Sequence, residues 1–257
     1  MPSNKAEQLH DSEITTAEVL AEVARRRSAR RLMEEPPSRW SVLAARFISW
    51  FAHHWLFFFN GFFLLYVGFP ILAPVLMHLR IEIPARMIYT IYRPLCHQLP
   101  QRSFFLFGPQ CTYRLEELTT WLGPDAGVGP VAQAFVGNEE VGFKMALCQR
   151  DISIYGTILL SGLVYGLVRR RWTISALPWW AYFLFGVLPM LLDGGAQFLS
   201  YLLPFFWPGG RIQPYETTPL MRVITGGLFG LATTWLSYPL VQETVDELDA
   251  QRARRRT

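Results

Sequence analysis

The sequence predicts an all-α polytopic membrane protein with four transmembrane helices, an interfacial helix and an extramembrane cap. Three observations carry that prediction. From Phe47 to Leu79 there is no Lys, Arg, Asp or Glu, a run of roughly 33 residues where ~20 suffice to cross a bilayer. Later stretches repeat the pattern: Ile152–Val168 and Val223–Val241 are free of charge, and Ala176–Trp207 contains a single charged residue, Asp193. Basic residues gather beside these stretches, at Arg25–Arg27, Arg30, Arg31, Arg39 and Arg46 before the first, Arg169–Arg171 after the second, and Arg252 and Arg254–Arg256 at the end.

With an even number of spans those basic blocks share one side. The excess of positive charge near span ends marks the cytoplasmic side, so both termini and the 169–175 loop are expected there, in a cell (cytoplasmic) membrane. The long 80–151 segment then lies outside, although it carries arginines of its own. Roughly 46 residues containing many charges precede the first span, the wrong order for a cleavable leader. The first span is therefore expected to remain as an anchor. The net charge of +4 in a chain of 257 residues is small and makes no case for nucleic-acid binding.

The expected organisation follows: a basic tail over 1–46, a first span over 47–79, an extracytoplasmic loop over 80–151, three spans over 152–241, and a basic tail over 242–257. In the first tail, Thr15-x-x-Glu18 can form a capping box that opens a helix through about Met33, and Glu34-Glu35-Pro36-Pro37 reads as a linker. Between Pro84 and His97, Met87, Ile88, Ile91, Tyr92 and Leu95 fall on one helical face, which predicts a short helix lying at the interface or dipping back between the spans. Phe104–Phe107 is too short to span and reads as a plug into the bilayer edge. Residues 108–143 are rich in Gly and Pro and form the cap, with one amphipathic piece near Tyr113–Leu122. Gly162-x-x-x-Gly166 and Gly226-x-x-x-Gly230 have the spacing that lets helices approach closely in lipid.

Chemistry concentrates in few residues. Cys96 and His97 lie beside one membrane segment, Cys148, Arg150 and Asp151 beside another, and Cys111 lies between. Cys148 and Asp151 stand three apart and so share a helical face, with Tyr155 a turn further along it. Cys96, His97, Cys148 and Asp151 offer sulfur, nitrogen and oxygen ligands of the kind zinc accepts, without matching a C-x-x-C or H-E-x-x-H pattern. A Cys96–Cys148 disulfide, an exchanging redox pair and separately buried thiols remain open beside the metal reading. Asp193 is costly inside a bilayer, so it needs a partner. It is read either as a structural pair with Arg150 or Arg222, or as a catalytic base. Gln197, one turn on, shares its face.

The residues Cys96-His97-Gln98-x-Pro100-x-Arg102-Ser103-Phe104-Phe105, then Gly108, then Cys148-x-Arg150-Asp151-x-x-Ile154-Tyr155-x-Thr157 resemble the predicted membrane proteins called domain of unknown function 2085. The likeness continues through Asp193-Gly194-x-x-Gln197 and Arg222-x-x-Thr225-Gly226, and covers roughly residues 85–240. It implies a polytopic membrane protein and brings no activity with it. Members of that family often carry a second cysteine and Thr-Gly where this chain has Asp151 and Ile152-Ser153, and a shorter connection between the two cysteine motifs. Cys111 and the cap therefore read as an insertion, and simple dithiol chemistry loses ground.

The leading expectation is a polar pocket near the outer leaflet that binds a metal, with zinc first, or a lipid headgroup. Cys96, His97, Cys148 and Asp151 would be ligands, Arg102, Arg150, Tyr155, Gln197 and Arg222 would contact substrate, and Asp193 or His97 would act as general base. One alternative is a thiol–disulfide or quinone-linked oxidoreductase. Another is a non-catalytic subunit or scaffold that contacts a membrane-protein partner. Transport lacks the support of an inverted repeat.

Overall fold

The computed structural model describes residues 16–33, 38–127, 129–206 and 215–256. Thr15 of the expected capping box, the Glu34–Pro37 linker and Trp207 lie outside them. The chain divides into two compact units, one ending at Phe51 and one beginning at Ala52. In the first unit, α1 (Thr16–Met33) ends where the sequence placed its end, and its half-buried Glu22 pairs with Arg25 and Arg26. Helix α2 (Arg39–His53) buries no residue, although Trp40, Leu43, Phe47 and Ile48 make it strongly apolar. The charge-free run from Phe47 is thus shared between two helices. The break falls at His54, the residue before the first turn of the next helix.

The second unit is built on four long helices. Helix α3 (Trp55–His78), helix α7 (Gln149–Val168) and the segment Trp179–Leu203 are long and apolar enough to cross a membrane. That last segment comprises a short α8 (Trp179–Ala181), a π-helical stretch at Tyr182–Val187, and most of α9 (Leu188–Phe206). Helix α10 (Pro219–Arg256) runs unbroken through the expected fourth span and on through the basic tail. It is not among the helices apolar enough to qualify, because Thr225, Gly226, Gly227, Gly230, Thr233, Thr234 and Ser237 dilute it. Large apolar side chains such as Phe57, Phe62, Leu163, Leu167, Leu192 and Leu199 stay exposed, as bilayer-facing positions must be.

Paired contacts give the directions. Trp55 of α3 packs on Tyr165 and Tyr66 on Tyr155, so α3 and α7 are antiparallel. Ser153 donates to the Val223 carbonyl, Ser161 bonds Thr234, and Arg169 bonds Gln242, so α10 runs parallel to α7 along its whole length. The glycine spacings allow this. A Cβ at Gly226 would sit 2.9 Å from the Arg150 carbonyl oxygen, and one at Gly230 would be driven into the Ile154 carbonyl.

The expected cap departs from an all-α fold. Three strands, β1 (Ser103–Leu106), β2 (Gly137–Asn138) and β3 (Gly142–Cys148), form an antiparallel sheet in the order β1-β3-β2. The expected plug at Phe104–Phe107 is mainly strand β1. Phe105 is buried with Tyr113, Leu118 of α5 (Leu115–Leu122), Ala126 and Val141 in a core of the cap's own. Short apolar runs do not distinguish a strand from a membrane plug, and here the pairing partner lies some forty residues downstream. The expected interfacial helix is α4 (Glu82–Tyr92), but its inward face is Ala85, Ile88, Tyr89 and Tyr92, while Met87, Ile91 and the following Leu95 are exposed.

Replacing Gly230 by Ile tests the α7–α10 contact, since the blocking atom is backbone and cannot swing aside. Overpacking of this kind costs about 1–3 kcal/mol, read as a lower thermal midpoint in detergent. Gly156→Ala, where nothing lies within 4 Å of an added Cβ, is expected to leave the midpoint unchanged or slightly raised.

Candidate functional site

Strand register brings the two cysteine motifs together. Ser103 pairs with Cys148, and Gln149 Nε2 donates to the Ser103 carbonyl at 3.0 Å. Strand β3 runs straight into α7, leaving Cys148 at the N-cap and Asp151 in the first turn, where a helix N-terminus favours negative charge. On the other side, the chain leaves α4 and turns at Gln98, whose φ of 50° is left-handed. That turn sends Cys96 inward, while His97 is exposed. Gln98 is itself buried, and its Nε2 donates to the Tyr89 carbonyl at 2.9 Å.

One ligand atom each from Cys96, Cys148 and Asp151 lies within 4.8 Å of the others, a grouping able to hold a metal ion. The Cys148 Sγ is 3.1 Å from Asp151 Oδ2. A hydrogen bond from Cys148 holds the Cys96 thiol below its ordinary range, against burial and the nearby Asp151 charge. The same bond, together with burial, pushes Cys148 well above its own. All three cysteines are free thiols in this structure, and Cys111 is exposed.

These groups line one wall of a cavity of about 320 Å³, with His97 at its rim and Arg102, Arg150, Gln197 and Arg222 around the remainder. The arginines are arranged by carboxylates. Arg102 and Arg222 each donate to Glu216 at 2.6 Å, Gln197 Nε2 donates to it at 2.7 Å, and the Tyr201 hydroxyl donates to it as well. Burial opposes ionisation of Glu216, but the bonds from Arg102 and Tyr201 and the two guanidinium charges outweigh it and hold its carboxyl below the ordinary range. The nearly buried Arg222 also reaches the Gln101 carbonyl at 3.2 Å and Gln149 Oε1 at 3.1 Å.

Asp193 forms the structural pair with Arg150 that the sequence allowed. The Nη2–Oδ2 distance is 2.5 Å, and the Thr225 hydroxyl lies 3.2 Å from the same oxygen. It does not line the cavity. Tyr155 also stands apart, its ring 4.7 Å from Tyr66 and 6.0 Å from Phe63.

Sequence reasoning missed two residues here. Glu216 is the only carboxylate between Asp193 and Asp246 apart from Glu243, and interior arginines at 102 and 222 require a counter-charge; that was the available signal. Lys144 is a lone lysine in the 80–151 segment and carries no sequence motif. It is fully buried on β3, donating to the carbonyls of Gln98 at 2.5 Å and Gln133 at 3.1 Å. Burial pushes its ammonium from 10.5 down to about 7, opposed by the neighbouring Cys96.

The fold and site together define a mostly helical protein with apolar helices of membrane-spanning length and a small sheet beside a polar, cysteine-bearing cavity. Residues 140–236 match the model of a family described as predicted membrane protein (DUF2085), which bears out the resemblance read from the sequence. The matched part includes Cys148, Asp151, Glu216 and Arg222 but not Cys96 or Arg102. An uncharacterized protein of Methanocaldococcus jannaschii is 23% identical over 158 residues, covering 62% of this chain and 70% of that one. No solved structure matches.

Two measurements follow. Glu216→Gln leaves the buried Arg222 guanidinium without its counter-charge and is expected to cost about 3 kcal/mol, the low end for a broken buried ion pair. Its thermal midpoint in detergent should fall well below that of the wild type. Between about pH 7 and 10.5, unfolded Lys144 keeps a proton that the folded chain has released, so its contribution makes stability rise with pH over that window. Thermal scans at several pH values should show this slope lost in Lys144→Met; parallel profiles would contradict it.

Proposed function

We propose that this is an integral membrane protein whose outer-face cavity holds a soft divalent metal, zinc first, and receives a polar or anionic lipid headgroup. The carrying observation is the convergence of Cys96, Cys148 and Asp151 within 4.8 Å. Two thiolates bound to one zinc at ~2.3 Å stand about 3.8 Å apart in tetrahedral geometry, so the set fits with little movement. Three protein ligands are the number found in zinc sites that keep one position open, where the metal acts as a Lewis acid.

The chain's own residues supply the rest. Arg150 Nε is buried in the cavity region without a hydrogen-bond partner, a donor suited to an oxygen of the occupant. Leu95, Leu99 and Met190 make part of the lining apolar, which suits a lipid more than a small ion. Of the two general bases expected, His97 lines the cavity, while Asp193 is committed to Arg150.

The placement rests on a fourth span. Helix α10 accompanies α7 from Gln149 to Arg169, so if α7 crosses the bilayer, residues 222–242 cross with it. Four spans return both termini and the Arg169–Arg171 loop to one side, the cytoplasmic one by its basic residues. The cavity then faces outward.

A second reading is favoured by the thiols themselves. The Cys96 thiol is held below its ordinary range by a bond from Cys148, whose own thiol is pushed up, the arrangement of an attacking thiol and its partner, which suits an oxidoreductase. Metal analysis of protein purified in detergent separates the readings. About one zinc per chain is expected in the wild type and in Cys111→Ser, and a large loss in Cys96→Ser and Cys148→Ser. Absence of metal from wild type even after zinc addition sinks the metal reading. A Cys96–Cys148 disulfide found by non-reducing mass spectrometry would favour the redox one.

A further inference from the structure

The opposite end of the bundle carries a second cleft, of about 470 Å³, between the first turns of α3 and the last turns of α7. Its lining is divided by chemistry. Leu56, Phe57, Leu163 and Leu167 form an apolar wall along the span, and His53, His54, Arg169 and Arg170 gather at the mouth. Phe57, Leu163 and Leu167 are all more than half exposed, so this wall is open on the bilayer side. Gly166 leaves the space between the helices free of a side chain.

The residues of the mouth differ in their contacts. Arg169 bonds Gln242 and lies 5.8 Å over the Trp55 ring, which fixes its position. His53 is 3.0 Å from Asp249. Arg170 is exposed and, among the described residues, makes no ion pair. Six residues below His54, or about 9 Å along a helix, Asn60 lines the floor, and its Oδ1 is buried with no hydrogen-bond partner. The cleft thus has a basic mouth, an unmet polar group below it and an apolar wall.

We infer that this cleft binds an anionic phospholipid, with its phosphate between His54 and Arg170 and one acyl chain along Leu56, Phe57, Leu163 and Leu167. Free phosphate uses only the mouth and leaves the apolar wall uncovered. A zwitterionic lipid covers the wall but brings a positive group to a positive mouth. The site is independent of the cysteine cavity and shares no residue with it.

Native mass spectrometry of the full-length protein in neutral detergent tests this, with phosphatidylglycerol, phosphatidylcholine and inorganic phosphate as probes. Each basic residue near an anionic headgroup contributes about 1 kcal/mol, so Arg170→Ala should weaken phosphatidylglycerol retention roughly fivefold, and adding His54→Ala should weaken it further. Arg86→Ala, on α4 at the other end, should retain it fully. Equal retention by Arg170→Ala and wild type, equal affinity for phosphatidylcholine, or displacement of the lipid by millimolar phosphate would each overturn the assignment.

Discussion

Glu216 holds two arginines that stand 120 positions apart in the sequence, Arg102 and Arg222, and the rest of the site depends on that single carboxylate. Arg102 belongs to the turn entering β1, and Arg222 to the first turns of α10. Arg222 is nearly buried and carries its charge into the contact between the cap and the bundle. Its other donors go to Gln101 of the cap and Gln149 of α7. One guanidinium therefore ties cap, α7, α10 and the loop before α10 together. Removing its counter-ion strands a charge where desolvation is severe.

The cysteine cluster inherits its geometry from this knot. Gln149 accepts from Arg222 and donates to Ser103, which pairs in register with Cys148. The next residue, Arg150, is pinned by Asp193 of α9. Cys148 and Asp151 thus emerge from a helix start whose neighbours are fixed on both sides. Cys96 is brought to them by α4, with the buried Lys144 ammonium bridging to the Gln98 carbonyl beneath. A ligand set held by rigid elements suits recognition of a specific ion.

The spans were readable because charge is excluded from lipid-facing helices, and Asp193 announced its need for a partner for the same reason. The glycine spacings on α7 and α10 were readable as packing surfaces. Helix α10 itself was legible as helix, but its small polar residues face α7 and lower its apolar character. The side of α4 that packs on protein was not separable by pattern, because both its sides are apolar: one packs on protein, and the other holds exposed Met87 and Ile91. The cap's sheet was hidden, since β1 and β3 are short and the register between them is a long-range property. Glu216 escaped notice because its partners come from segments more than a hundred residues apart, a coincidence that no local pattern records.

The central claim is that Cys96, Cys148 and Asp151 form one metal site beneath the cap. Zinc-edge X-ray absorption on the zinc-loaded full chain addresses it directly. Two sulfur scatterers at ~2.3 Å with lighter oxygen or nitrogen ligands at ~2.0–2.2 Å are expected, with the sulfur signal reduced in Cys148→Ser and intact in Cys111→Ser. A shell without sulfur, or one unchanged when Cys96 or Cys148 is replaced, would contradict the account.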